Sequence, residues 1–552
     1  MIRTGVDATV DATALEAVLR PRDGLVAEAR APASAASAPD VHAFVMTDGP
    51  LRSYRRTVAV ATAGAGRWRV RQDVYFDVGV PWFSWLFVLP FRVSLGRLRP
   101  APRSPWWAPP QRIGRRGAVV LATLCALTVV VGYLDNVVTQ TMTYVGAEYH
   151  VGTTGQGVAL GAIQVSAVLA LAALVAADRR GRRGLIFACA AGGLALTGLG
   201  ALATSLAWLT ACELLATAAV GALFLLIFVV AAEEMPAGSR AWAAGVLSLS
   251  YGLGSGGVLL ALPLAGLGTG GWRWLYLIAL AGIPVVAVCA TTLPESRRFR
   301  RPAPVSTGPA MTAGARTGPI PAAWSRLGVG RLSAIHRRRL LVLGGASLAY
   351  ALFATPAGQF SNQYLRVERH FSALGISVLS QVAGTIGAVG VLVGGRLADT
   401  RGRRPVAAVG VSAGTAVTLV TFFAHSWGLW LWAVVASLVS YAVVPALAVY
   451  GPELFPTRAR SAATGAITAL AAAGGVIGLV ATGLLSSAFG TIGPALAVLA
   501  VGPATMVVLI VVAFPESAGR GLEELNAADE KRESLPAGCT VPCPTLTEPP
   551  SP

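Results

Sequence analysis

Charge is what this sequence has least of. Only 13% of its 552 residues are charged, about half the roughly 25% of an ordinary soluble domain. Such a deficit excludes a chain that is soluble throughout. Lysine is all but missing, with Lys531 the single example, so arginine carries nearly all the positive charge. We read that as the base composition of a GC-rich genome and attach no mechanism to it. The six cysteines form no framework. Cys125, Cys189, Cys212 and Cys289 sit in apolar runs, where small apolar packing is the default role. Cys539 and Cys543 lie in a Pro-rich tail with no histidine nearby, which argues against zinc. No secretory signal is expected, since no apolar run lies near Met1. There is no phosphate loop, no metal-spaced His or Cys cluster and no Ser/His/Asp set; His150, His370 and His425 stand singly. Neither an enzyme nor a cofactor nor a bound metal is expected.

What is present is hydrocarbon. Apolar residues make up 54% of the chain, and the mean hydropathy is +0.64. A spanning helix needs about 20 apolar residues. Runs of that kind are expected at 117–145, 157–177, 185–204, 208–232, 241–264 and 274–293. After a gap they resume at 340–361, 373–394, 405–423, 427–449, 462–486 and 492–513. The expected fold is an all-α membrane protein of twelve transmembrane helices in two six-helix repeats. Its expected divisions are a basic N-terminal extension (1–115), a first bundle (116–293), a Pro/Gly/Arg-rich linker (294–339), a second bundle (340–514) and a polar tail (515–552).

The extension carries weaker signals. Ala12–Arg20 suits a short helix and 31–39 a linker. Tyr54–Thr62 and Trp68–Val80 alternate in part around a Gly-rich centre, which predicts a β-hairpin. Val80–Phe91 is aromatic and apolar but too short to span. Two readings stay open for it: a segment lying on the bilayer surface, or a core for the hairpin.

The net charge of +18 does not point to nucleic acid. The arginines flank apolar runs, and they do so on one side. Arg179, Arg180, Arg182, Arg183, Arg240, the ten arginines from Arg297 to Arg339, Arg396, Arg401, Arg403, Arg404, Arg458 and Arg460 all fall in one set of alternate loops. The opposite loops hold Arg273, Arg366 and Arg369. The positive-inside rule then places both termini in the cytoplasm.

Three loop motifs occur twice, in the same order and at a near-constant offset. Asp178-Arg179-Arg180-Gly181-Arg182-Arg183 corresponds to Asp399-Thr400-Arg401-Gly402-Arg403-Arg404. Glu233, Pro236, Arg240 and Gly245 correspond to Glu453, Pro456, Arg460 and Gly465, and Pro294-Glu295-Ser296 to Pro515-Glu516-Ser517. A shared register implies two parallel six-helix repeats, the architecture of alternating-access transporters. The stretch from Gly395 to Arg403 reads as a charged turn between two spans.

These motifs resemble the major facilitator superfamily. Gly395-x-x-x-Asp399-x-x-Gly402-Arg403-Arg404 matches that superfamily's loop signature, and Leu174 stands where the first copy would have its leading glycine. Glu453-Leu-Phe-Pro-Thr-Arg-x-Arg460, Gly271-Trp272-Arg273-Trp274 and Pro515-Glu516-Ser517-x-Gly519-Arg520-Gly521 resemble the sugar porter and metabolite–proton symporter branches. The resemblance covers about 117–526 and leaves out the extension. It implies a transporter whose inner gate includes Asp178, Arg182, Glu233, Arg240, Gly395, Asp399, Arg403, Glu453 and Arg460.

Ionisable groups inside spans are costly and point to function. Away from the span ends there are two, Asp135 and Glu213. Asp135 follows Gly132-Tyr133-Leu134, similar to the element where sugar porters carry a proton-coupling carboxylate. The alternatives are a solvated residue near the outer mouth for Asp135 and a packing residue for Glu213. Candidate substrate contacts are Asn136, Gln140, Gln164, Tyr251, Gln359, Asn362 and Gln381, each with a structural interhelical hydrogen bond as its alternative. The expected function is secondary active transport of a small polar metabolite, a sugar or organic acid, across the cytoplasmic membrane. The expected partners are the substrate, protons and the lipid bilayer, with no nucleic acid, and the chain is expected to act as a monomer. Rival readings are proton-antiport efflux of drugs or metabolites and a transporter-derived sensor or scaffold.

Overall fold

The structure is a computed structural model. It describes residues 1–32, 40–64, 66–79, 81–98, 105, 107–171, 182–294, 334–448, 454–455 and 460–514. The expected linkers at 31–39 and 294–339 and the tail at 515–552 lie almost wholly outside those residues.

The extension holds more than a hairpin. Five strands, β1 (Ile2–Val10), β2 (Ala27–Arg30), β3 (Val41–Asp48), β4 (Leu51–Gly64) and β5 (Arg67–Val78), form one antiparallel sheet in the order β1-β5-β4-β3-β2. The expected hairpin is its centre. It turns through Gly64 and Gly66, both at positive φ (88° and 71°), where glycine meets no steric penalty. β5 alternates cleanly, burying Val70, Gln72, Val74, Phe76 and Val78. β1 alternates too, but with Thr4 and Ala8 among its half-buried positions, so its apolar signal is faint. Helix α1 (Ala12–Leu19) forms where expected. Its N-cap is Asp11, whose carboxylate accepts from the Ala14 N–H at 2.7 Å.

A charged network ties this domain together. Arg56 is 1% exposed. It donates to Glu28 at 2.6 Å and 2.9 Å and to the Val18 carbonyl at 2.8 Å. Tyr54 donates to the same carboxylate at 2.5 Å. Buried charge is tolerable only when paired and fully hydrogen-bonded. Helix α2 (Ser84–Leu95) closes the domain, with Phe91 and Leu95 in the sheet's core. The aromatic run is thus a hairpin core on one face.

Among the described residues, twelve helices are long and apolar enough to cross a membrane. They are α3 (Arg115–Glu148), α4 (Thr153–Leu171), α5 (Arg182–Gly200), α6 (Leu206–Glu234), α7 (Trp242–Gly266), α8 (Arg273–Thr292), α9 (Ile335–Gln359), α10 (Ala373–Ala398), α11 (Arg403–Phe423), α12 (Ser426–Leu447), α13 (Ala463–Phe489) and α14 (Ile492–Ala513). Two compact units gather them. One comprises Met1–Gly152, Ala162–Ala310 and Ser372–Ser377; the other comprises Thr153–Gly161, Met311–Phe371 and Val378–Pro552.

The duplication reaches into side-chain detail. Arg183 donates to the Ala290 carbonyl at the end of α8 at 2.7 Å. Its counterpart Arg404 donates to the carbonyls of Ile510 (3.2 Å) and Val511 at the end of α14. Each arginine donates to carbonyls of the last turn of its helix, where a cation is favoured. Glu148 accepts from the Trp272 indole and the Arg273 guanidinium at the start of α8. Its counterpart Glu368 accepts from the Ile492 N–H at the start of α14 at 2.7 Å. His150 and His370 both take positive φ, 55°, ending α3 and the extension of α9.

The stretch from Gly395 is not the charged turn the sequence suggested. Helical geometry runs from Ala373 through Arg401, and the chain turns only at Gly402, φ 96°. The helix-compatible stretch from Arg396 to Thr400 carries the helix one turn past the apolar run. The tight approach belongs to Gly394, where a Cβ would stand 1.9 Å from the Ala442 carbonyl oxygen of α12. Gly395 meets Pro445 at ordinary contact distance.

Candidate functional site

The site is built on the contact between α3 and α7. A Cβ on Gly132 would lie 2.1 Å from the Tyr251 carbonyl oxygen, and one on Gly254 would lie 2.0 Å from that of Val129. Only glycine lets two backbones approach so closely. The approach brings three of the candidates together. Tyr251 donates its hydroxyl hydrogen to Asp135 Oδ2 at 2.5 Å. Asn136 Nδ2 donates to the Tyr251 oxygen at 3.1 Å and to the Gly132 carbonyl at 2.9 Å. All three are half-buried. Phe224 of α6 packs against the Tyr251 ring, centroids 5.4 Å apart.

Glu213 of α6 is 0% exposed, and neither carboxyl oxygen has a hydrogen-bond partner among the described residues. Thr197 of α5 and Thr217, one turn on in α6, also have unpartnered hydroxyls. Tyr133 donates to the Leu275 carbonyl at 2.8 Å, and the Tyr276 and Thr141 hydroxyls lie 3.2 Å apart. The first repeat therefore holds two acidic groups, phenols and an amide within its spanning helices.

The second repeat copies the helix contact but not the chemistry. Gly474 of α13 is the counterpart of Gly254, and a Cβ on it would stand 2.1 Å from the Leu348 carbonyl oxygen of α9. At the positions of Asp135, Tyr251 and Glu213 this repeat has Ala354, Ala471 and Ala433. Leu348 stands to Gly474 as Val129 stands to Gly254, so α9 runs one position short of the register kept by the rest of its repeat. The π-type turn at Tyr364–Glu368 restores that position before Glu368 meets α14.

The other candidates are dispersed. Gln140 is half-buried on α3 and Gln164 half-buried on α4. In the second unit Gln359 ends α9, Asn362 is 4% exposed just beyond it, and Gln381 is half-buried on α10. The Oε1 atoms of Gln359 and Gln381 have no hydrogen-bond partner among the described residues.

Of the inner-gate candidates, Arg182 and Glu233 form an ion pair between the start of α5 and the end of α6. Arg240 is exposed just before α7, and Arg403 opens α11, half-buried. Asp178 and Glu453 lie outside the described residues, as do the side chains of Asp399 and Arg460. Sequence reasoning missed the clasps at Glu148 and Glu368. Their separation, the same as that of Glu233 and Glu453, was the available signal. Burial pushes the Glu368 carboxyl above its ordinary pKa, opposed by the Ile492 N–H and the charge of Arg369.

Twelve apolar helices in two internally matched sets, with acidic groups inside one set, define a two-repeat polytopic membrane protein of the transporter type. The model of the Major Facilitator Superfamily matches residues 119–439 and 360–539, and the chain belongs to that family. Its members are transporters, not enzymes. Among solved structures, a bacterial homologue of the human lysosomal transporter Spinster, inward-facing and unoccupied, is similar at 19% identity and a TM-score of 0.54. That likeness covers 72% of this chain and 94% of the homologue. The nucleoside transporter NupG (D323A mutant) is similar at 13% identity and a TM-score of 0.59, over 72% of this chain and all of that one. The xylose transporter XylE from E. coli, in its inward-open conformation, is similar at 15% identity and a TM-score of 0.57, over 74% and 99%. These likenesses show the fold alone. Among curated proteins, none matches the chain.

Proposed function

We propose that the protein is a proton-coupled secondary transporter of a small polar metabolite, a sugar, nucleoside or organic acid, working by alternating access in the cytoplasmic membrane. The observation that carries this reading is the cluster of Asp135, Tyr251 and Asn136 in a repeat that also buries Glu213. A carboxyl group cut off from water and from any cation exchanges a proton when its hydration changes. Alternating access changes hydration at this depth once in each cycle. Asp135 is the coupling residue in this reading. Tyr251 and Asn136 hold it in place, and Glu213 receives the proton within the first repeat. Gln359, Asn362 and Gln381 offer amide donors and acceptors from the second repeat. The pair Arg182–Glu233 acts at the inner face, where contacts made in one state bias the equilibrium. The one-sided arginines put that face in the cytoplasm.

The test uses full-length protein in liposomes containing a pH-sensitive dye, with xylose, uridine and succinate as probes. A solute that is carried brings protons with it. Asp135→Asn is expected to abolish gradient-driven uptake while sparing counterflow of the same solute. Unchanged uptake in that variant removes Asp135 from the coupling role. Proton movement opposite to the solute makes the protein an exporter.

A further inference from the structure

Helix α2 has two apolar faces, yet the sheet covers only one of them. Phe91 and Leu95 are buried in the sheet's core, and Phe87 and Val88 pack against it. Arg22 fixes this pose by donating to the Leu95 carbonyl at 2.9 Å and the Arg97 carbonyl at 2.5 Å. The opposite face is bare: Trp85 is 73% exposed, Leu86 52%, Leu89 67% and Val93 54%. Their spacing along the chain puts them on a single helical face. Trp82 precedes them in the left-handed region, φ 67°, 38% exposed, a conformation that few non-glycine residues adopt. Arg92 and Arg97 are exposed beside this face.

Its position is set by what holds the domain. Phe83, at the start of α2, packs against the core of the first bundle, which includes Ile113 and Met235. The Gln111 N–H donates to Ser239 Oγ at 2.9 Å, and Ser239 Oγ donates back to the Gln111 carbonyl at 2.7 Å. Arg112 pairs with Asp48 at 3.2 Å and with Asp23. The domain is therefore clamped to the end of the bundle where α3 and α7 begin and α6 ends. Arg115, Arg116, Glu234 and Arg240 mark that end, where the apolar run of each helix gives way to charge.

We propose that the Trp85–Leu86–Leu89–Val93 face of α2 lies in the headgroup layer of the bilayer, with Arg92 and Arg97 on lipid phosphates. The occupant is lipid, for two reasons. The face belongs to a helix whose first turn, at Phe83, packs on a membrane-spanning bundle. Its aromatic and aliphatic residues flanked by arginine suit the interface, where apolar burial and attraction to anionic headgroups add. A bare apolar face of this kind is uncommon on a soluble domain. Helix α2 thus serves as a foot that holds the sheet domain against the membrane, whatever the transported solute is.

The test places the photoreactive residue p-benzoylphenylalanine at Trp85, at Leu89, or at Ala63 near the hairpin tip, in the full-length chain. Each variant is purified as a single species and reconstituted in nanodiscs of phosphatidylcholine with phosphatidylglycerol. After irradiation, intact-mass measurement is expected to show protein plus one lipid at positions 85 and 89 and none at 63. No lipid adduct at 85 and 89 overturns the proposal. So does a covalent dimer, which makes the face a contact between copies, or a crosslink to the same chain. Equal lipid yields at all three positions overturn it as well.

Discussion

Gly254→Ala measures whether the α3/α7 contact does the structural work assigned to it. The added Cβ would start 2.0 Å from the Val129 carbonyl oxygen, whereas real Cβ contacts essentially never fall under 3.0 Å. The clash is with backbone, so no side chain can swing aside and the helices must part. Overpacking of this kind costs about 1–3 kcal/mol, and a rigid partner puts it near the upper end. Alanine also gains about 1 kcal/mol over glycine in helix propensity. Gly252→Ala on the same helix isolates that gain, since a Cβ there meets nothing within 4 Å. The difference between the variants is then the overpacking alone, about 3 kcal/mol on the same scale. At ~2–4 °C per kcal/mol for a unit of this size, Gly254→Ala should melt roughly 6–12 °C below Gly252→Ala in detergent. Gly474→Ala should behave like Gly254→Ala, because its Cβ would start 2.1 Å from the Leu348 oxygen. Separation of α3 and α7 also pulls Tyr251 from Asp135, so gradient-driven uptake should fail in Gly254→Ala and survive in Gly252→Ala. Equal melting of the two variants would refute the close-contact argument.

Two further outcomes follow from charged groups outside the spans. The Glu368 pKa is raised by burial, so the folded chain binds more protons there than the unfolded chain does. That contribution is fully present below the unfolded value of about 4.3 and is lost as pH rises through the folded value. Melting of the wild type should therefore fall more as pH rises above about 4.3 than that of Glu368→Gln, and parallel curves would contradict this. In the sheet domain, Arg56→Met takes the paired guanidinium from the buried Glu28 carboxylate, leaving it the Tyr54 hydroxyl and the Arg22 N–H. Loss of one partner of a buried pair costs about 3–5 kcal/mol, enough to open a small domain to protease while α3–α14 stay intact. Recovery of resistance on adding Glu28→Leu is expected, and an unchanged digestion pattern in the single variant would show the network to be dispensable.

The spanning helices were legible because each is a long run of one physical character. Their register was legible because Asp, Gly, Arg and Pro in the loops are fixed by turns and helix ends. The N-terminal sheet was only partly legible. β5 buries every second residue, but β1 uses threonine and alanine at half-buried positions, and β2 is only Ala27–Arg30. A strand of that kind becomes apolar only when its neighbours are known. The reading of Gly395 as a bend failed for a related reason. Glycine marks both turns and close helix contacts, and sequence alone does not separate them; here Gly402 makes the turn and Gly394 the contact. Asp135 and Glu213 stood out through their cost in a membrane. Their grouping with Tyr251 was hidden, because it depends on how closely Gly132 and Gly254 bring two helices together.

Comparison of the repeats separates scaffold from chemistry. Arg183 and Arg404, Glu148 and Glu368, and Gly254 and Gly474 perform the same mechanical tasks in both halves. These residues cap helix ends or set helix spacing, and a fold built from two copies needs each task twice. Asp135, Tyr251 and Glu213 have alanine at their counterparts. A residue needed for packing would be needed in both copies, since the surrounding helices meet in the same way. Retaining two acids and a phenol in one copy, at a cost of at least about 2.5 kcal/mol for an acid at mid-membrane, is unexplained by the scaffold. The asymmetry therefore supports the proposal that these three residues serve the cargo or the coupling ion, independently of any hydrogen bond they make.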